Sequence, residues 1–121
     1  MLGWWTVIST ETLAQRALPG GGNKEAILAT WEAGLGGMDW IVDLCKQGKA
    51  EQHSFNGYPN RFTALASEIT PILAQGIPDG TMRDFHGKGP VGWKGSIKVH
   101  QDRITACAPD QLLTVEVWDQ S

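Results

Sequence analysis

Cysteine is scarce in this chain: two in 121 residues, Cys45 and Cys107. Two cannot build a disulfide framework. Nothing in the sequence brings them to bridging distance, so reduced thiols are expected. Long apolar runs are missing as well, and none approaches the ~20 residues of a membrane span. The opening stretch, Met1 to Ser9, has no basic n-region and no apolar core of signal-peptide length. The expected location is therefore the cytoplasm. A large charge of one sign is also absent. The formal charge of −3 excludes a wholly basic nucleic-acid packer and a strongly acidic DNA mimic alike. With 41% hydrophobic and 19% charged residues, the chain belongs with globular domains rather than disordered chains or coiled coils. Its length suits a single domain over 1–121.

Catalytic and ligand-binding signatures are missing in the same way. There is no Walker A motif and no G-x-S-x-G elbow. Gly87-Lys88-Gly89-Pro90-Val91-Gly92 matches G-x-G-x-x-G, but a dinucleotide site needs a helix after the loop. Here Trp93-Lys94-Gly95-Ser96 leads into a strand, and Pro90 removes a backbone donor. His53, His86, His100, Cys45 and Cys107 fit no zinc spacing, so neither a metal nor a cofactor is expected. Asp39 and Asp43 share a helical face at i, i+4, which reads as a solvated face. His86, Asp84 and Ser96 could be forced into a triad, but a triad is recognised by geometry. A small enzyme with an unrecognised site is the third-ranked reading.

The residues that are present describe an N-terminal strand, then a group of helices, then a group of strands. Trp4 to Ile8 is aromatic and β-branched, which predicts a strand. Ser9 or Thr10 offers a cap for a short helix through Leu13, Ala14, Ala17 and Leu18, ended by Pro19-Gly20-Gly21-Gly22. Ile27, Trp31 and Leu35 fall at i, i+4, i+8, predicting a helix over 24–34. A third helix runs over 40–47, with Ile41, Leu44 and Cys45 inward and Gly48 in the left-handed position beyond its end. Residues 49–59 are polar and turn-rich. Asn60 caps a fourth helix bearing Phe62, Leu65, Ala66 and Ile69, and Pro71 starts a fresh turn capped by Thr70.

In the last third, 96–100, 103–107 and 112–118 each alternate. With turns at 101–102 and 108–111, Ile97, Val99, Ile104, Ala106, Leu113, Val115 and Val117 gather on one side. Arg103 then lies opposite Glu116 on the polar side. The expected fold is α+β: about four short helices packed on one face of an antiparallel sheet. The C-terminal three-stranded meander and the N-terminal strand make up that sheet.

Two features rise above this background. Between Arg83 and Arg103 stand five basic residues against two acidic ones, while the rest of the chain has five against eleven. Arg83, Lys88, Lys94, Lys98 and His100, in a glycine-rich stretch with Trp93, could hold phosphate or a nucleic-acid backbone. The second feature is tryptophan, six in all. A thin core accounts for Trp31 and Trp40. Trp4 and Trp5 point to opposite faces of one strand, so one of them must meet a second layer, a partner or water. Trp93 and Trp118, with Phe55 and Tyr58 of the loop before Pro59, are candidate protein contacts. The leading expectation is a small non-catalytic intracellular protein-binding module, an inhibitor, immunity or adaptor protein of phage or mobile-element type. The alternative is a phosphate or nucleic-acid binder using 83–103. No membrane partner is expected. The Trp4/Trp5 pair or an exposed edge strand supports a homodimer as readily as a foreign contact.

Overall fold

A computed structural model describes residues 4–16, 24–33, 38–54, 59–76 and 94–119. In chain order the elements are β1 (Trp4–Ser9), α1 (Leu13–Arg16), a 3₁₀ turn (Lys24–Ala26), β2 (Ile27–Ala33), α2 (Asp39–Lys46) and β3 (Ala50–Ser54). They continue with β4 (Asn60–Leu65), α3 (Ala66–Ala74), β5 (Lys94–Val99), α4 (Gln101–Ala106) and β6 (Leu112–Asp119). The strands form one sheet in the order β3-β4-β6-β1-β2-β5, and every neighbouring pair is antiparallel. The α+β class expected from the sequence is the class observed.

Cross-strand partners share a face of a sheet. Phe62, Val115, Ile8 and Ala29 lie in one row across β4, β6, β1 and β2. Asn60, Val117, Thr6 and Trp31 form the next row. These rows bury against Ile41 and Leu44 of α2, Ala66 and Ile69 of α3, and Ile104 of α4. That face carries the core. Trp31 is fully buried there, with its ring 5.9 Å from that of Trp40. Trp4 packs at the margin of the same cluster.

Helix α2 obeys its local code. Gly48 adopts φ +76 beyond its end, and the Gly48 and Lys49 N–H groups donate back to the Cys45 and Leu44 carbonyls. This is the glycine-dependent closure expected at that position. Gly76 ends α3 with φ +123. The cap of α1 is Thr12, not Ser9 or Thr10: Gln15 N–H donates to Thr12 Oγ1, and Thr12 N–H donates to Gln15 Oε1. That reciprocal pair is a capping box.

Several expectations are corrected. Residues 27–33 form strand β2 rather than a helix. A stripe at i, i+4, i+8 is also a multiple of the two-residue strand period, and β2 lies between two strands with both faces covered over most of its length. The helix expected from Asn60 begins at Ala66, because Asn60–Leu65 is strand β4. Its first N–H groups donate to the carbonyls of Gln111 and Pro109 instead of to a side-chain cap. Pro71 sits inside α3 rather than at its start. The helix continues without the bond that residue 71 would have donated to Ser67.

The polar stretch after Lys49 contains edge strand β3. Its polar residues Glu51, Gln52 and His53 suit an edge strand, where charged and polar side chains discourage further pairing. Finally, there is no C-terminal meander. Residues 101–106 form helix α4, where Ile104 alone is buried and Thr105 Oγ1 donates to the Gln101 carbonyl. Five alternating residues were too few to separate a strand from a short connecting helix. Strand β6 pairs with β1 and β4 instead. Arg103 donates to the carbonyls of Lys24 and Ile27, and the residue opposite Glu116 is Arg61. The helices also divide differently from expectation. Helix α1 buries no residue in the core, and its Arg16 crosses the opposite face.

Candidate interaction face

That opposite face is polar at its centre and apolar at both ends. One row runs Arg61, Glu116, Val7, Thr30, Lys98 across β4, β6, β1, β2 and β5. The row beside it holds Trp118, Trp5 and Glu32. On the other side lie Thr63, Thr114 and Ser9, and beyond them the exposed pair Leu65 and Leu112. A cleft of about 390 Å³ opens at that end, lined by Lys49, Glu51, Thr63, Leu65, Glu68 and Leu112 among others.

Glu116 is the centre of this face and is only 2% exposed. A buried carboxylate must be paired. Arg16 Nε and Nη2 each lie 2.6 Å from its Oε1. Arg61 Nε donates to its Oε2 at 3.0 Å. Arg16 Nη1 also reaches Glu11 Oε1 at 3.3 Å. The segment carrying Arg16 is tied down independently. Ser9 Oγ accepts the Glu11 N–H at 3.0 Å, and Thr114 Oγ1 donates to the Glu11 carbonyl at 2.6 Å. Two arginines and two glutamates thus form one neutral cluster that clips α1 to the sheet.

Next to it, His53 Nε2 lies 2.7 Å from Thr63 Oγ1. Glu51 Oε2 lies 3.7 Å from the same nitrogen. A nucleophile relay needs the orienting acid on the other ring nitrogen, so this trio is not arranged as one. Cys45 and Cys107 are both free and partly buried, and burial pushes both thiols above their ordinary range. Raised thiols are poor nucleophiles at neutral pH. Among the described residues no three His, Cys, Asp or Glu side chains are grouped to hold a metal. No helix among them is long and apolar enough to cross a membrane.

The residues singled out from sequence divide sharply. Phe55, Tyr58, Arg83, Lys88 and Trp93 lie outside the described residues, as do His86 and Asp84. Lys94 begins β5. His100 is half-buried at the start of α4, where its N–H donates to the Leu28 carbonyl. Trp118 is 36% exposed and stands directly opposite the half-buried Trp5. Lys98 is exposed on the same face. Three strand spacings separate it from β6, about 14 Å, so Lys98 and Trp118 do not form one patch. Trp4 and Trp5 do point to opposite faces, as alternation requires.

Arg16, Arg61 and Glu11 carried no signal that marked them as partners of Glu116. The alternation of Thr114, Glu116 and Trp118 was legible, but the partners lie 100 and 55 residues away. Compared with protein-family models, curated proteins and solved structures, the chain matches none.

Proposed function

We propose that this chain is a small non-catalytic protein-binding module of the cytoplasm, acting as an inhibitor, immunity or adaptor protein of phage or mobile-element type. The observation that carries the reading is Trp118, held beside Trp5 on a sheet face outside the helix-covered core. Exposed tryptophan beside arginine is the composition of interface hot spots. The buried cluster at Glu116 supports the same reading, because it makes the strands under Trp118 a rigid platform. A rigid platform lowers the ordering cost of association.

The test is affinity capture with the tagged protein in lysate of its source cell, with and without nuclease, using wild type and Trp118→Ala side by side. A stoichiometric protein that survives nuclease and is lost with Trp118→Ala supports the proposal. Recovery of nucleic acid that disappears after nuclease would replace it with the phosphate-binding reading centred on 83–103. Recovery of the tagged chain alone would overturn the proposal.

A further inference from the structure

The glutamates around the polar face divide by what answers them. Glu116 and Glu11 are matched by Arg16 and Arg61 in the neutral cluster. Glu68 meets Lys49, and Glu51 lies 3.7 Å from His53. Glu32 is half-buried on the same face. Among the described residues its carboxylate forms no ion pair and no hydrogen bond.

The cause lies in β5. The register of β2 and β5 shifts between Thr30 and Glu32, so the stretch from Gly95 to Lys98 spans only Glu32 to Thr30. Lys98 therefore stands opposite Thr30, and Gly95, which has no side chain, stands opposite Glu32. The edge strand gives Glu32 no countercharge and leaves it open on that side.

On its other side Glu32 has the tryptophans. Trp5 is directly across on β1, and Trp118 is directly across from Trp5 on β6. Neighbouring strands stand about 4.8 Å apart, so Glu32 and Trp118 are anchored about 10 Å from each other with Trp5 between them. Trp118 is exposed and Trp5 half-buried. Their rings do not stack on each other, since the ring contact among the described residues is between Trp31 and Trp40.

A row of indole, indole and unanswered carboxylate has the composition of a cation site. The ring quadrupole attracts a cation to its face, and the carboxylate supplies the opposite charge. A guanidinium can lie flat against an indole and still present its N–H edge to a carboxylate. An ammonium is a compact, strongly hydrated point charge and does one or the other. An anion in this row would meet Glu32 with no cation beside it. The net charge of −3 favours the approach of a basic surface.

We infer that Glu32, Trp5 and Trp118 together receive an arginine side chain of the protein partner. This rests on the protein-binding reading above and names the chemistry that anchors the partner at Trp118.

The experiment is an NMR titration of the full ¹⁵N-labelled chain at fixed ionic strength. The probes are N-acetyl-arginine-amide, its uncharged isostere N-acetyl-citrulline-amide and a single-stranded oligothymidylate. The arginine probe should shift the indole N–H signals of Trp5 and Trp118 saturably, with Kd on the order of 10 mM. The citrulline probe should bind about fivefold more weakly or worse, because it brings no charge to Glu32. Glu32→Gln should weaken the arginine probe by a similar factor while the rest of the spectrum and the melting temperature stay in place. Trp118→Ala should weaken it about threefold, the share of one cation–π contact at a partly exposed site.

Equal binding of the arginine and citrulline probes, unchanged binding in Glu32→Gln, or no saturable shift overturns the inference. Tighter, steeply salt-dependent binding of the oligothymidylate overturns it in favour of a nucleic-acid backbone. Repeating the lysate capture with Glu32→Lys separates the two levels. Loss of the partner with both Glu32→Lys and Trp118→Ala supports the arginine assignment. If the partner is lost with Trp118→Ala and retained with Glu32→Lys, protein binding stands and the arginine assignment falls.

Discussion

The two faces of this sheet are held by different physics. On one, Ile8, Phe62, Val115, Val117 and Trp31 bury against three helices through contacts that have no preferred direction. On the other, a carboxylate and two guanidinium groups meet at hydrogen-bond distance, with hydroxyls of Ser9 and Thr114 fixing the chain beside them. The first arrangement tolerates exchange of one aliphatic for another of similar volume. The second depends on each partner, because a buried charge left alone is costly. A small domain that covers both sides of its sheet with the first device keeps no side for contact. Among the described residues, the polar device closes the middle of one face with the short helix α1 and leaves Trp118 exposed at one end and Leu112 at the other.

That contrast can be broken from either side. Phe62→Ala should have the largest effect, about 3–5 kcal/mol in chemical denaturation, because it opens a cavity under a residue with no exposure. A loss under about 1 kcal/mol would mean that the helices collapse onto the gap. Arg16→Met keeps the aliphatic stem and removes the donors to Glu116. It should cost about 2–3 kcal/mol, less than losing every partner because Arg61 remains. If Arg16→Met is instead neutral, the neutral cluster contributes nothing that packing could not, and the proposed clip fails.

Thr6→Val acts in the opposite direction. Thr6 Oγ1 is buried with no hydrogen-bond partner among the described residues, as are the indole nitrogens of Trp31 and Trp40. Removing that hydroxyl at constant shape should raise stability by about 1 kcal/mol. A fall in melting temperature would show that an ordered water serves this hydroxyl. Trp118→Ala should have the smallest effect on folding, within about 0.5 kcal/mol, as expected of a surface position. A large loss would place Trp118 in the structural part of the face and remove it from the interface.

Much of the local code was readable residue by residue. The β-branched run of β1, the helix over 40–47 and the glycine beyond it appear as expected, since each depends on neighbours within a few positions. The alternation of β6 was readable as well: Leu113, Val115 and Val117 inward, Thr114, Glu116 and Trp118 on the other side. The failures share one cause. Ile27 and Trp31 satisfy a helical and a strand period together, and only the presence of β1 and β5 on either side selects the strand. Arg103 to Cys107 alternates like a strand, yet the sheet has no place for it once β6 lies between β1 and β4. The candidate face was half legible for the same reason. Trp118 could be placed on a polar strand face, but Arg61 and Arg16 could not be brought to Glu116 by any local rule.

Composition, charge and short-range pattern were therefore sufficient for the α+β class, for the glycine closure of α2 and for the sidedness of β1 and β6, because backbone sterics and burial act over a few residues. The order of the strands, the conversion of 27–33 to β2 and the union of Glu11, Arg16, Arg61 and Glu116 were decided by tertiary packing. A buried carboxylate takes whichever guanidinium groups the closed sheet delivers to it, and the distance along the chain does not enter that choice.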